Sequence, residues 1–419
     1  MHTRSRTRSV AVPRPPQSIA ALLPAEIVDC IFSHFDFDYS VDGSRSDRIE
    51  RERTLSMMSV VAEGWKGPAR RLLCRTVCVW SWNQLAEGVP EWARGGLQNS
   101  QIDGDGWEVR QSEETAGALF HFLRSAPSLR LLRIYHLPFA SFNPADSMRM
   151  RTTHLLSRLR DLTVFNSAKR FPHSVISDIL ATSNRQISHL HLRSARRAIS
   201  PIPSEQLDFG GNLRYLHVGG PRSIEDFQPL ASSLVGLREM RLAHMDGESG
   251  VRVRELLAEV APSLEKLTIG TGDVTGIVES FPLLTRLTRL WIPRIPASSD
   301  SLLLPPSLVS LQFVYDDSLL PLFDRWNAKP ALLPATLQQI HIRWVNNLQT
   351  FEQLPPVAKF VKEYRNQLFE PLRRLSPRTS PFKALEVYFV GHHLDKVAAV
   401  EAECERLEVE FHRRDESLD

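Results

Sequence analysis

The chain has 419 residues, of which 42% are hydrophobic and 24% charged, values typical of a soluble folded protein. No apolar run approaches the roughly 20 residues of a membrane helix, so we expect no membrane-spanning segment. Four cysteines are too few for a disulfide framework, which favours a reducing compartment, cytoplasmic or nuclear.

Residues 1–19 form a basic tail, which we expect to be disordered. Its first 17 residues contain four arginines and no acid, and no apolar core follows them as in a secretory signal. Subtracting these four charges from the net +3 leaves −1 for the rest of the chain. Binding of nucleic acid along a general basic surface needs an excess of positive charge, so this near-neutral balance argues against it. A nuclear-import signal is the alternative interpretation. A mitochondrial transit peptide is less well supported, because the tail has few apolar residues.

Residues 20–80 predict a small domain of three helical segments. LLPAEIVDCIFSHF, residues 22–35, places Ile27 and Ile31 one turn apart on an apolar stripe, and Pro24 suits the first helical turn. A charged insert at 36–53 precedes a second apolar segment that ends at Trp65, and ARRLLCRTV forms the third. Such a stripe is most often core. The alternative is an interface that a partner covers, because three short helices make a marginal core.

A repeat runs through most of the remaining chain, after a linker or irregular first repeat at 81–114. The pattern apolar-x-x-apolar-x-apolar recurs at mostly 21–30 residues, with one gap of 45. It starts at Leu129, Leu159, Ile187, Leu213, Leu237, Leu264, Leu287, Leu308 and Leu337, and more weakly at Phe382 and Cys404. The last two apolar residues of each copy share one face of a strand, and stacked copies bury a continuous core.

The segments between these strands predict helices in several copies. ETAGALFHFLRSAPS and VRVRELLAEVAPS each carry apolar residues at helical spacing and end near a proline. A longer helix at 354–375 accounts for the wide gap between copies. Residues 115–411 therefore resemble the leucine-rich repeat family, although the Asn or Cys that usually follows each strand is missing. The resemblance implies a curved α/β solenoid with a parallel β-sheet on its concave face, followed by a polar tail at 412–419.

Residues at alternate strand positions should point outward from this sheet. Many are arginine, histidine or aromatic, the types that anchor interfaces. We therefore expect the concave face to bind a protein substrate that is acidic or phosphorylated. The alternative is that exposed strand positions are polar only for solubility. The candidate substrate-binding residues are Arg133, Tyr135, His191, Arg193, Tyr215, His217, Arg241, Arg289, Trp291, His341 and Arg343.

The three N-terminal segments, LPAEIVDCIF, LSMMSVVAEGW and ARRLLCRTV, resemble an F-box motif. An F-box followed by leucine-rich repeats is an architecture of substrate receptors in Skp–cullin–F-box ubiquitin ligases. The resemblance implies that this domain docks on a Skp-type adaptor and, through it, on a cullin. By matching positions, the residues that contact or support the adaptor surface would be Leu23, Pro24, Ile27, Val28, Ile31, Phe32, Val60, Val61 and Trp65.

The sequence contains no motif of a metalloprotease, a nucleophile elbow or a phosphate-binding loop. GTGDVTG at 270–276 mimics a dinucleotide loop, but its spacing favours a repeat loop. Cys74 and Cys78 have no partners for a zinc site, which favours core thiols. We therefore expect a non-catalytic protein without cofactor or metal. The alternatives are an interaction scaffold outside any ligase and, third, an enzyme that uses the inner sheet face.

Overall fold

The structure, a computed structural model, divides the chain into two compact units, Met1–Thr76 and Val77–Asp419. It describes residues 23–24, 27–28, 53–58, 60, 65–66, 69, 76–79, 82–89, 97–103, 112–136, 142–166, 173–183, 185–194, 207–219, 229–243, 249–270, 274–293, 303–314, 322, 325–326, 328–345, 384–390 and 410–413. The basic tail at 1–19 and the predicted helix at 354–375 lie outside these residues. So does the insert at 36–53, except Arg53.

The N-terminal unit is helical at 27–28, 53–58, 60, 65–66 and 69. The carbonyl of Pro24 accepts hydrogen bonds from the N–H groups of Ile27 and Val28, both at 3.1 Å, which makes Pro24 part of a first helical turn. A small core of Val28, Leu55 and Ala69 is at most 4% exposed, and Leu23, Met58 and Trp65 pack against it. Part of the predicted apolar stripe is therefore core.

The second unit is built on one sheet of 13 strands in chain order, and every neighbouring pair from β2 to β13 is parallel. The strands are β1 Thr76–Val79, β2 Asn99–Asp103, β3 Leu131–Tyr135, β4 Asp161–Asn166, β5 His189–Ser194, β6 Tyr215–Gly219, β7 Glu239–Leu242, β8 Lys266–Ile269, β9 Arg289–Ile292, β10 Ser310–Val314, β11 Gln339–Val345, β12 Ala384–Val390 and β13 Glu410–Arg413. Each strand pairs with the next copy, as the predicted solenoid requires.

Helices connect several of these strands. They are α1 Trp82–Glu87, α2 Ser112–Arg124, α3 Pro144–Thr153, α4 His173–Thr182 and α5 Ser249–Val260, and short 3-10 helices lie at Ala231–Leu234, Val278–Leu283 and Pro330–Leu332. α2 and α5 occupy the segments in which helices were predicted, and their apolar residues are buried in the same core as the strands. Among the helices that the structure describes, none is long and apolar enough to cross a membrane.

The strand register explains why leucine recurs in the repeat, because it aligns these side chains in one buried row across the sheet. One buried row on β3–β11 is at most 1% exposed at every position. It consists of Leu132, Leu162, Leu190, Leu216, Met240, Leu267, Leu290, Leu311 and Ile340. Burying one leucine contributes about 1.5–3 kcal/mol, so burial of the whole row stabilises the sheet strongly.

The ends of the sheet differ from the prediction. β1 and β2 precede the first predicted copy, and β1 also contains the buried thiol of Cys78. At the other end, Glu410 pairs with Glu386, so β13 lies two residues later than the CERLEV pattern predicted. Backbone pairing between strands does not require a leucine pattern. The pattern therefore missed the first strands of the sheet and misplaced the last one.

Candidate protein-interaction surface

The side of the sheet that faces away from the core, here called the outer face, is organised in rows by the strand register. The first row contains Asp161, His189, Tyr215, Glu239, Lys266 and Arg289 on β4–β9. The second contains Arg133, Thr163, His191, His217, Arg241 and Thr268 on β3–β8, with Trp291, Gln312 and His341 on β9–β11. The third contains Tyr135, Phe165, Arg193 and Gly219 on β3–β6. The predicted outward residues thus lie side by side, about 4.8 Å apart between strands.

A stacked histidine pair occupies the centre of this surface. The rings of His191 and His217 lie 4.0 Å apart at an angle of 16°. Burial, then the neighbouring His217 and the arginines nearby, lowers the pKa of His191 to about 3. Burial, then Arg241 and Arg193, lowers the pKa of His217 to about 4. Both rings are therefore neutral at pH 7. Within the described residues, the buried Nε2 atom of His191 has no hydrogen-bond partner.

Gly219 makes room beside this pair. A Cβ atom at this position would lie 3.1 Å from Cγ of Arg193 and 3.5 Å from Nε2 of His217. Arg193 is exposed, and its guanidinium carbon lies 5.6 Å from the ring centroid of Phe165, a cation–π contact. Phe165 also contacts Tyr135 at 6.2 Å between ring centroids. Arg193 is thus presented to solvent on an aromatic support.

Arg241 belongs to a charged cluster in which one carboxylate, that of Glu239, faces two cations. Its Nη2 atom lies 2.8 Å from Oε1 of Glu239, and Lys266 Nζ lies 3.3 Å from the other carboxylate oxygen. The Arg241 guanidinium carbon also lies 5.5 Å from the ring centroid of Tyr215. Burial raises the pKa of the Tyr215 hydroxyl. Glu239 therefore takes up part of the positive charge that the sequence assigned to this strand.

The first row contains a histidine, His189, whose pKa is raised, in contrast to the lowered pKa values of the stacked pair. His189 Nδ1 lies 2.8 Å from Oδ1 of Asp161, and this contact raises the pKa of His189. Arg289, four strands further, is exposed and forms no ion pair with any described residue. Arg133 is only 5% exposed, so it adds charge to the surface without offering a contact. Trp291 and His341 are half-buried. Arg343 is placed by its backbone opposite Val314 and Tyr388.

The residues predicted to bind an adaptor divide into two groups. Ile27 is 47% exposed, Val60 is 82% exposed and Pro24 is exposed, whereas Val28 is buried in the small core. Leu23 and Trp65 are half-buried against that core. The structure also exposes 55% of Met57, a residue that the motif comparison did not single out. Ile31, Phe32 and Val61 lie outside the described residues.

The glycines of the GTGDVTG segment have a packing role. A Cβ atom at Gly270 would lie 2.6 Å from the carbonyl oxygen of Ala243, and one at Gly276 would lie 3.2 Å from Cα of Gly250. Neighbouring repeats thus approach each other at these glycines, as expected of a repeat loop. In the described part of the chain, no group of three or more His, Cys, Asp or Glu residues could hold a metal ion.

No protein-family model matches the chain, and no curated protein matches its sequence. One solved structure to which the chain is similar is an internalin from Listeria monocytogenes strain 4b F2365. The alignment covers 92% of this chain and 93% of the internalin, with 13% sequence identity and a TM-score of 0.31. The strand order, the parallel pairing and the repeated buried leucines themselves define the fold as a leucine-rich-repeat-type solenoid. Such solenoids present extended surfaces for protein interaction.

Proposed function

We propose that the protein is a non-catalytic substrate receptor of a Skp–cullin–F-box ubiquitin ligase. Its N-terminal unit would dock on a Skp-type adaptor, and its repeats would hold the protein to be ubiquitinated, in the cytoplasm or the nucleus. The observation that carries the proposal is the uncovered apolar surface of a helical unit encoded directly before the solenoid. Ubiquitin transfer would be the task of other subunits.

The exposure pattern of the N-terminal unit supports a partner. Among its described residues, Val28, Leu55 and Ala69 are buried. Ile27, Met57 and Val60 nevertheless remain between 47% and 82% exposed. Large exposed apolar residues on short helices are typical of surfaces that bind another helical protein.

The outer face supports the other half of the proposal. Arg193 and Arg289 are exposed cations without a carboxylate partner among the described residues, and Arg193 lies over the ring of Phe165. Arginine and aromatic residues supply most of the binding energy in protein interfaces. The substrate would therefore present an acidic or phosphorylated segment to strands β5–β9.

The second candidate is an interaction scaffold that acts outside any ubiquitin ligase. The outer face on β3–β9 favours it, because this surface can bind a protein whether or not the N-terminal unit has a partner. The two candidates differ only in whether a Skp-type adaptor binds.

The adaptor half is tested by gel filtration of the purified full-length protein with a purified Skp-type adaptor. We expect the wild type to form a complex that Val60→Asp disrupts. The matched control is Val235→Asp, which changes a 60% exposed valine in the second unit and should leave the complex intact. If the wild type forms no complex, or if both variants bind equally well, the ligase role is refuted and the scaffold remains.

The substrate half is tested with the variant that combines Arg241→Gln, Arg289→Gln and Trp291→Ala. Mass spectrometry of captured proteins should show loss of substrates and retention of the adaptor. Retention of every captured protein would remove the outer face as the substrate site.

A further inference from the structure

A second charged surface lies at the amino-terminal edge of the sheet and belongs to neither site described above. In four repeats the residue that directly precedes the strand is an arginine: Arg130, Arg160, Arg214 and Arg238. All four are exposed. We call them the arginine row.

Backbone hydrogen bonds place the four residues on successive rungs of one ladder. The N–H of Arg160 donates to the carbonyl of Arg130 at 2.8 Å, and the N–H of Arg238 donates to the carbonyl of Arg214 at 2.9 Å. Ser188 occupies the rung between these two pairs, bonded to both sides at 2.8 Å. Arginines within each pair are therefore about 4.8 Å apart along the sheet.

The positive charge of the row is poorly compensated. Among the described residues, the only ion pair of the row joins Arg238 Nη1 and Glu265 Oε1 at 3.9 Å. Arg160 Nη1 reaches the carbonyls of Ser157 and Leu159, and Arg214 Nη1 reaches the carbonyl of Gly236 at 2.7 Å. Like charges on neighbouring strands repel and lower the stability of the free protein. An anionic partner would relieve this repulsion.

We infer that the arginine row binds an extended acidic segment of a partner protein, laid across the strands at this edge. From β3 to β7 the row spans four strand spacings, or about 19 Å. An extended chain covers this length with about six residues. Its carboxylates would meet the Arg130/Arg160 pair and the Arg214/Arg238 pair through forked hydrogen bonds. This inference does not depend on the ligase role.

The neighbouring rungs favour a peptide over a nucleic acid. Single-stranded nucleic acids need aromatic side chains on which their bases stack. The rungs directly beside the four arginines are Gln98, Ser188 and Glu265, and none is aromatic. The carboxylate of Glu265 also stands at the β8 end of the row, where it would repel a continuing chain of phosphates. The same carboxylate would repel further acidic residues, so the bound acidic segment should end before β8.

The test is fluorescence anisotropy with a labelled peptide of about ten residues that alternates Glu and Ser, at about 50 mM salt. The double variant Arg130→Gln and Arg160→Gln should bind about fivefold more weakly than wild type, because two of the four cations are lost. The matched control is Arg124→Gln and Arg149→Gln, two exposed arginines on α2 and α3, which should change the affinity less than about twofold.

Three results would overturn the inference. The first is no binding of the peptide by wild type, or equal weakening in the control variant. The second is tighter binding of single-stranded DNA of the same length, lost in the same double variant. The third is full binding by that double variant together with loss in Arg241→Gln and Arg289→Gln, which would assign the peptide to the outer face. Circular dichroism of each variant confirms that the fold is retained.

Discussion

The stacked pair of His191 and His217 should make the protein sensitive to acid. Both rings are largely, not fully, buried, and their pKa values are lowered to about 3 and about 4 from the ordinary 6.5. As the pH falls below 6.5, these histidines take up protons in the unfolded chain before they do so in the folded chain. Unfolding is therefore favoured progressively as the pH falls from about 6.5 towards 4.

The size of this effect follows from proton linkage. Between pH 7 and pH 5, a histidine with an unfolded pKa of 6.5 and a folded pKa below 5 costs about 2 kcal/mol of folding stability. The pair together would cost up to about 4 kcal/mol. The charged groups that act on the pair are Arg133 on β3, Arg193 on β5 and Arg241 on β7. The three arginines act in the same direction as burial.

The assay is urea unfolding at pH 7 and pH 5, for wild type and for the double variant His191→Gln and His217→Gln. We expect the double variant to lose about 2–4 kcal/mol less than wild type between the two pH values. His189→Gln is the matched control on the same strand. Because the contact with Asp161 raises the pKa of His189, this histidine contributes stability below pH 6.5 that is lost as the pH rises. Its removal should therefore increase the acid sensitivity. Equal pH dependence in wild type and the double variant would refute the reasoning.

Three further predictions concern contacts between and within repeats. Asp178 is 3% exposed and accepts a hydrogen bond from Arg151 Nε at 2.7 Å, so Asp178→Asn should cost about 1–3 kcal/mol of unfolding free energy in urea titration. Gly270→Ala should lower the melting temperature by several degrees, because its Cβ would lie 2.6 Å from the carbonyl oxygen of Ala243. Gly117→Ala should instead stabilise the protein by about 0.5–1 kcal/mol, because Gly117 lies inside α2 with no atom within 4 Å of the added Cβ. A stabilised Gly270→Ala or an unchanged Asp178→Asn would contradict the packing described above.

The sequence predicts the middle of the solenoid well because one physical requirement repeats there. The buried positions from Leu132 to Ile340 must all be apolar to close the core, so their spacing is visible without a structure. β1 and β2, with the sequences TVCV and NSQID, do not show the apolar pattern of the other repeats. Their pairing depends on neighbouring strands, which a local pattern does not show.

The outer face was predictable residue by residue but not as a set of interactions. His191 and His217 occupy the same repeat position, so their adjacency follows from the register. Their stacking and their low pKa values depend on burial, and burial depends on Gly219 and the neighbouring side chains. Likewise, the burial of Arg133 and the pairing of Arg241 with Glu239 are visible only in three dimensions.

The arginine row is visible in the sequence, at a position that the apolar repeat pattern does not include. The copies LRLLRI, LRDLTV, LRYLHV and LREMRL all place an arginine directly after the first leucine. All four arginines are exposed and precede their strands, so this pattern is separate from the alternation within each strand. A repeated charge at a position that packing does not constrain is better evidence for binding than a charge at a position that must be polar.

The repeat architecture confines the effect of a ligand to the strands that it touches. In a solenoid each repeat contacts only its neighbours, so binding energy is distributed over nearest-neighbour interfaces and spreads little beyond them. The arginine row spans β3–β7 and the His191–His217 pair lies on β5 and β6, whereas β10 and β11 lie outside both. An acidic peptide bound at the row should therefore slow amide hydrogen exchange on β3–β7 and leave β10 and β11 unchanged. Uniform protection of the whole sheet would mean that the solenoid unfolds as one unit, and the two surfaces could then not be altered independently.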